Sequence, residues 1–283
     1  MESVEHVLAY QGVEGSYSSI AGAEYAPSAS RVGYPTFDAV VAAVQNGHAT
    51  LALLPIENST AGRVADLHHL LPHSGLTIID EHFLPVHHAL IGLTSAKLAD
   101  ITRVYSHREA LAQCAQTLRT LGIEPVPFGD TAKAVAYIVQ EGDRHAAALA
   151  SSYAASLYPS VHVLKEQMQD APDNVTRFLI LAKSPKEREI KTDCITSIVY
   201  DVLDSPAALY DSLGVFAQYG VNIIKLESFV PMQQHKNAQF YLECVGGSTQ
   251  PPLRDALAAL KAKTKHMQIL GTYKKSPYRA HFE

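Results

Sequence analysis

Leu51-Ala52-Leu53-Leu54-Pro55-Ile56 is an unbroken apolar run, followed at once by Glu57-Asn58-Ser59-Thr60 and, one residue later, by Gly62. A strand covered by helices on both faces of a parallel sheet reads this way, because neither side of it meets water. A helix is predicted over 64–71, which makes the unit strand, polar turn, helix. In open α/β sheets ligands bind beyond the carboxyl ends of the strands, so Glu57 to Thr60 is a site candidate. The plain alternative is a helix cap made by Asn58 or Ser59.

The same alternation runs outward in both directions. Upstream, a strand over 7–10 enters Gly12-Val13-Glu14-Gly15-Ser16, and a helix follows over 20–25. A helix beginning at Ser16 would aim free backbone N–H groups at an anion. The spacing matches neither a Walker loop nor a dinucleotide fingerprint. Thr36 or Asp38 caps a helix over 39–45, which Gly47 ends. Downstream, strands are predicted over 76–79 and 84–93, the second passing through His87 and His88. A strand over 103–105 ends in Ser106-His107 before a helix over 109–121 that carries Gln113. Then come 124–128 (strand), 131–141 (helix), 146–150 (strand) and 152–157 (helix). Alternation of this kind implies a mostly parallel sheet with helices on both faces. The loop Gln169-Asp170-Ala171-Pro172-Asp173-Asn174-Val175-Thr176-Arg177-Phe178 precedes an apolar run over 179–182 and concentrates a carboxamide, a hydroxyl and a guanidinium. Polar loops on a rigid scaffold are where sites are built.

Beyond Leu181 and Ala182 the charged stretch 184–189 reads as a linker, and the pattern changes. Strand 195–203, helix 207–219, strands 221–229 and 239–245, helix 253–263 and strand 267–273 give β-α-β-β-α-β, the split βαβ arrangement.

Composition excludes several classes. With 283 residues, 47% hydrophobic and 18% charged, the chain supports two or three compact units. A formal net charge of −5 without basic blocks argues against a nucleic-acid partner, though not against a small anion. No stretch reads as a secretory signal or a membrane span, so a cytoplasmic protein with no membrane partner is expected. Cys114, Cys194 and Cys244 lie far apart without C-x-x-C spacing and read as small apolar residues. His68-His69 and His87-His88 are adjacent pairs that diverge on a helix or strand, so no metal site is expected.

Taken together, the pieces G-V-E-G-S-Y-S from Gly12, L-P-I-E-N-S-T-A-G-R-V from Leu54, Y-S-H-R-E-A-L-A-Q-C from Tyr105, D-N-V-T-R-F from Asp173 and V-N-I-I-K followed by L-E-S resemble prephenate dehydratase. The match covers nearly the whole chain and keeps the family's order. The resemblance implies an α/β catalytic region of two lobes, like a type II periplasmic binding protein, over 1–183 with the second lobe near 85–164. It also implies a linker at 184–193, a βαββαβ ACT domain at 194–275 and a tail at 276–283.

The activity so implied is loss of water and carbon dioxide from prephenate to give phenylpyruvate, on the way to phenylalanine. Arogenate as substrate, or a non-catalytic amino-acid sensor, are the alternatives. The resemblance assigns catalysis to Thr176, Glu57, Arg177 and Ser106, and substrate binding to Ser16, Asn58, Ser59, His107, Gln113, Asn174 and Phe178. Thr176 would hydrogen-bond the departing hydroxyl, with a protonated Glu57 as a stronger acid behind it. Arg177 would answer a substrate carboxylate or hold the loop that does. No cofactor is needed, since restored aromaticity drives the reaction. Phenylalanine as effector would be sensed through Ala207, Ala208, Leu209, Asn222, Glu227 and Ser228, in a homodimer or homotetramer. The chain departs from the family pattern at Val13 and Arg108, where proline is usual. It departs again at Ala207, where glycine is usual, and at Phe229, where an arginine is frequent. The last two bear on phenylalanine affinity.

Overall fold

The computed structural model describes residues 6–183, 192–230 and 238–281. Most of the expected linker, at 184–191, lies outside these residues. The chain divides into two compact units. One comprises the described residues of Met1–Val40, Leu53–Arg63 and Phe83–Phe178, the other those of Val41–Ala52, Val64–His82 and Leu179–Glu283.

Three sheets carry the fold. The first has the order Ser30–Tyr34, Val7–Gln11, Leu51–Asn58, Val175–Ala182, Thr77–Pro85, with the short strand Gly62–Arg63 paired to Leu51–Asn58. Its central strand is the opening apolar run: Ala52, Leu53, Leu54 and Ile56 are wholly buried. Val7–Gln11 and Ser30–Tyr34 pair in parallel. The helix Tyr17–Tyr25 follows Val7–Gln11, with Ser16 as its N-cap accepting from the Ser19 N–H at 3.3 Å.

The second sheet has the order Val161–Lys165, Ala89–Leu93, Ala146–Ala150, Arg103–Ser106, Glu124–Pro127. It is more mixed than the alternation predicts. Arg103–Ser106 runs parallel to both of its neighbours, whereas Ala89–Leu93 is antiparallel to both of its own. The apolar run over 84–93 is therefore not one strand. Thr77–Pro85 ends in the first sheet, residues 86–88 cross over, and Ala89–Leu93 starts the second. The helix expected over 109–121 is also two, Arg108–Gln113 and Ala115–Leu121, parted at Cys114, whose φ of −118° and ψ of 13° leave the helical region. Arg108 is the first helical residue, the position where proline's missing N–H costs nothing. An apolar core of alanine-rich strand Ala146–Ala150 with Leu90, Ile91, Val104, Val135 and Ile138 fills this layer.

The third sheet is antiparallel with the order Ile223–Phe229, Gln239–Val245, Cys194–Val202, Thr264–Lys274. Helices Ala208–Gln218 and Leu253–Lys261 supply Val215, Phe216, Leu253, Leu257 and Leu260 to its core. This is the βαββαβ unit read from the sequence. It packs on segment 64–82 through aromatic, backbone and charged contacts. Phe229 meets His69 edge-to-face with ring centroids 5.2 Å apart. The backbone at Gly271 runs so close to the Ile78 carbonyl that no Cβ could fit there. Arg279 forks onto Glu81 at 2.7 and 2.8 Å and reaches Glu243 at 3.2 Å. Both carboxylates are fully buried, and the Ser276 N–H adds a further bond to Glu81 at 2.9 Å. Paired in this way, buried carboxylates become tolerable.

Candidate active site

Strands Leu51–Asn58 and Val175–Ala182 each turn alternate side chains to opposite faces. One face joins Asn58 to Thr176, with Asn58 Nδ2 3.0 Å from Thr176 Oγ1. The other joins Glu57 to Arg177, with Arg177 Nη1 donating to Glu57 Oε1 at 3.0 Å. The consecutive residues Thr176 and Arg177 therefore serve different surroundings. Arg177 is 2% exposed, with its guanidinium carbon 5.9 Å from the Phe83 ring centroid.

The first face is a network of amides whose orientation is set by the backbone. The N–H groups of Thr60 and Ala61 donate to Asn58 Oδ1 at 3.0 and 2.8 Å, so Oδ1 points at that turn and Nδ2 at Asn174 and Thr176. Asn58 Nδ2 donates to Asn174 Oδ1 at 2.8 Å, which leaves Asn174 Nδ2 to donate to Gln113 Oε1 at 2.9 Å. Gln113 Nε2 in turn donates to Thr60 Oγ1 at 2.8 Å and Asn58 Oδ1 at 3.2 Å. Because Thr176 Oγ1 accepts from Asn58, its own proton points elsewhere, and no acceptor for it is found among the described residues. The arrangement thus presents one hydroxyl as a donor on a surface of satisfied amides.

Beyond Gln113 the network reaches residues that the sequence reading did not select. His88 Nε2 lies 2.8 Å from Gln113 Oε1, and His88 Nδ1 lies 2.7 Å from the Tyr17 hydroxyl. Burial lowers the His88 pKa, the Gln113 bond opposes that, and His87 adds to it, so the ring is held toward its neutral form. Burial likewise raises the Tyr17 pKa well above 10.0, so the phenol keeps its proton. His88 belongs to the connection between Thr77–Pro85 and Ala89–Leu93, where its N–H donates to Gln169 Oε1 at 3.0 Å and its carbonyl accepts from Met168 at 2.8 Å. In the loop, Asp170 caps helix Ala115–Leu121 through the Gln116 and Thr117 N–H groups at 2.8 and 2.9 Å.

Several predicted site residues lie outside this network. Ser106 is fully buried and donates to the Leu149 carbonyl at 2.6 Å, which commits its proton to the second sheet. His107 is exposed and caps the helix Arg108–Gln113. Phe178 is 1% exposed and belongs to the core, so its ring presents no surface to a ligand. Ser59 ties the loop, donating to the Asp173 carbonyl at 2.8 Å and accepting from Val175 at 2.9 Å. Glu57 lies on the face away from Thr176, where its carboxyl oxygen accepts from the buried Arg177 guanidinium at 3.0 Å. In the βαββαβ unit, Ala207, Ala208 and Leu209 border a concavity of about 320 Å³, together with Leu203 and Tyr210. Asn222, Glu227 and Ser228 are not among its lining residues. Glu227 and Ser228 sit on the outer strand Ile223–Phe229, and Asn222 just precedes it. The thiols of Cys114 and Cys244 are pushed up to about 12 by burial. No cluster of potential metal ligands is found among the described residues.

The prephenate dehydratase family model matches residues 8–186, which include the whole network. The chain belongs to the prephenate dehydratase family. Members of that family are carbon–oxygen lyases. A bifunctional N-acyl-homoserine lactone acylase/prephenate dehydratase from Komagataeibacter europaeus is 38% identical over 276 residues, 97% of this chain and 98% of that relative. Arogenate dehydratase/prephenate dehydratase 1 of Arabidopsis thaliana, a chloroplastic protein, is 34% identical over 94% of this chain and 71% of its own length. Among solved structures, the prephenate dehydratase of Arthrobacter aurescens in complex with L-Phe superposes with a TM-score of 0.87 at 29% identity. The match covers 95% of this chain and 90% of that one. The similarity to these prephenate dehydratases extends through the βαββαβ unit, well past the segment that the family model covers.

Proposed function

We propose that the chain converts prephenate to phenylpyruvate, with Thr176 as the donor to the departing hydroxyl. The observation that carries this is the Asn58–Thr176 contact: an amide that donates into Oγ1 leaves the threonine proton free for a ligand. In the reaction the ring carboxylate leaves as carbon dioxide. The electrons of that C–C bond restore the aromatic ring, and the hydroxyl on the opposite ring carbon is expelled. Counted on the dianion, one proton is taken up from solution and one water is formed. Threonine is too weak an acid to supply that proton outright, so its role is a hydrogen bond that strengthens as charge grows on the leaving oxygen.

Asn58, Gln113 and Asn174 hold that donor in place. Arg177 and Glu57 brace the two strands from behind, and Arg177 is assigned no substrate carboxylate. The start of helix Tyr17–Tyr25 at Ser16 is kept as the anion subsite, and Ser59 and His107 are kept as substrate-binding residues. Ser106 and Phe178 support the site from the interior. The catalytic region is assigned to 1–183, with the second lobe near 85–164, a linker at 184–193, an ACT domain at 194–275 and a tail at 276–283. Phenylalanine is the assigned effector, bound at the βαββαβ unit of paired copies, where it would bias an equilibrium between two forms of the catalytic region. No helix among the described residues is long and apolar enough to cross a membrane, and a cytoplasmic location is proposed.

The test is turnover. Purified protein is mixed with prephenate and, separately, with arogenate, and phenylpyruvate, phenylalanine and proton uptake are followed. Phenylpyruvate from prephenate is expected. Product from arogenate alone would make the chain an arogenate dehydratase, as the plant relatives' names have it. No product from either, with the fold intact, would overturn the reading.

A further inference from the structure

The hydrogen-bond network that ends at Thr176 has a direction, and followed backwards it assigns a state to His88. Gln113 Oε1 is an acceptor only, and its orientation is fixed because Gln113 Nε2 faces Thr60 Oγ1 and Asn58 Oδ1. His88 Nε2, 2.8 Å from that oxygen, must therefore carry the hydrogen. In a neutral ring this leaves Nδ1 bare. The Tyr17 hydroxyl lies 2.7 Å from Nδ1 and also 2.7 Å from the His87 carbonyl. Its single proton has two acceptors in reach. Were it given to the carbonyl, two lone pairs would face each other across the Tyr17–Nδ1 gap, so the phenol donates to Nδ1.

We propose that His88, held by Tyr17 as the Nε2–H tautomer, is a positioning residue that fixes Gln113 and, through it, the Asn58–Thr176 donor pair. This rests on the functional reading above. His88 touches no reacting atom. Its Nε2–H and the Asn174 amide together occupy Gln113 Oε1, so the glutamine cannot swing its carbonyl toward Asn58. Gln113 is also the member of the network that the helix Arg108–Gln113 of the second sheet contributes, whereas Asn58 and Thr176 come from strands of the first. Without His88, that helix end would lose an anchor at the point where the two sheets supply one site.

The experiment compares His88→Leu, His88→Gln and the parent enzyme. A glutamine amide can place an N–H where Nε2 was, so the conservative variant retains the donor. The proposal expects kcat of His88→Leu to fall about tenfold, the lower end of what losing a hydrogen bond to a site residue costs, with KM changed less than about threefold. It expects His88→Gln to recover most of the loss. A nitrogen-detected NMR spectrum of the parent at neutral pH should show the hydrogen on Nε2. A glutamine variant as slow as the leucine variant, a change confined to KM, or an Nδ1–H tautomer would each overturn the proposal. The NMR result is independent of turnover. If the parent converts neither prephenate nor arogenate, the functional reading fails, while the tautomer is still decided.

Discussion

Asn58 Nδ2 donates to Thr176 Oγ1 across 3.0 Å, and this contact gives the threonine a role that its weak acidity alone would not. Thr176→Val keeps the side-chain shape and removes the donor. Its kcat is expected to drop by about 10²–10³, the usual loss for one preorganised donor to a developing negative charge, with little change in KM. Thr176→Ser should retain most of the activity. Steady-state kinetics on prephenate check both, and equal activity of the valine variant and the parent would remove Thr176 from the chemistry.

On the opposite face, Glu57 and Arg177 differ in exposure, 30% against 2%, and the difference decides which loss is worse. Glu57→Leu strips a carboxylate from a buried guanidinium and should cost about 3 kcal/mol in chemical denaturation. Arg177→Leu leaves a carboxylate that water can reach and should cost less. Neither variant should change kcat/KM per folded molecule by more than a few-fold. A selective rise in KM for Arg177→Leu would mean that the guanidinium meets substrate after all.

Burial lowers the His88 pKa below its ordinary 6.5, with His87, Tyr17 and Gln113 as the groups around the ring. The unfolded chain therefore takes up a proton at a higher pH than the native one does. Between the two values the unfolded state binds more protons, and stability rises with pH. The His88 contribution should be complete above about pH 6.5 and be lost as the pH falls through the depressed native value. Melting temperatures recorded on either side of that window should show a decline on acidification that is shallower in His88→Gln. Identical slopes would assign the decline to other groups.

Ala207 stands at φ 64° and ψ 7°, a left-handed conformation, beside the concavity of the βαββαβ unit. That conformation costs an alanine roughly 1–2 kcal/mol, whereas the greater freedom of an unfolded glycine offsets about 0.4–1 kcal/mol. Ala207→Gly should therefore raise stability by about 0.5–1 kcal/mol. It should also tighten phenylalanine binding by removing a methyl group at the concavity, which calorimetry would register. A destabilised glycine variant would contradict the strain argument.

Much of the fold was legible because the buried strands announce themselves. Leu51–Asn58, Ala146–Ala150 and Gln239–Val245 are apolar runs that end where the chain turns polar. What escaped was at the edges. Ser30–Tyr34 and Val161–Lys165 each end a sheet. An edge strand has one neighbour and buries little, so S-R-V-G-Y carries no apolar signal. The run over 84–93 misled for the opposite reason: its apolar residues belong to two different cores, and Pro85 was the signal of the break.

In the site, motif residues found each other where their backbones were already adjacent. Asn58, Asn174 and Thr176 flank one strand pairing, and Gln113 ends the helix Arg108–Gln113, directly before Cys114. His88 was legible only as one of two adjacent histidines that diverge, and Tyr17 only as a letter of the motif from Gly12. Their part in the network follows from two connections meeting in space, which no local pattern encodes. Arg177 was legible as a residue that answers a carboxylate or holds the loop that does, and alternation along its strand sends it to the face away from Thr176, where it meets Glu57.

The C-terminal unit looks, in linear order, like a module that could be exchanged for another. Its seams say otherwise. Gly271 admits the Ile78 backbone, Phe229 seats on His69, and Arg279 neutralises charge on Glu81 and Glu243. A chimera that imported this half from a relative would have to import a glycine, an aromatic ring and an arginine at those positions, or alter segment 64–82 to suit. The C-terminal unit and segment 64–82 are thus bound to drift together, and recombination between lineages is restricted to donors whose surfaces have kept the same match.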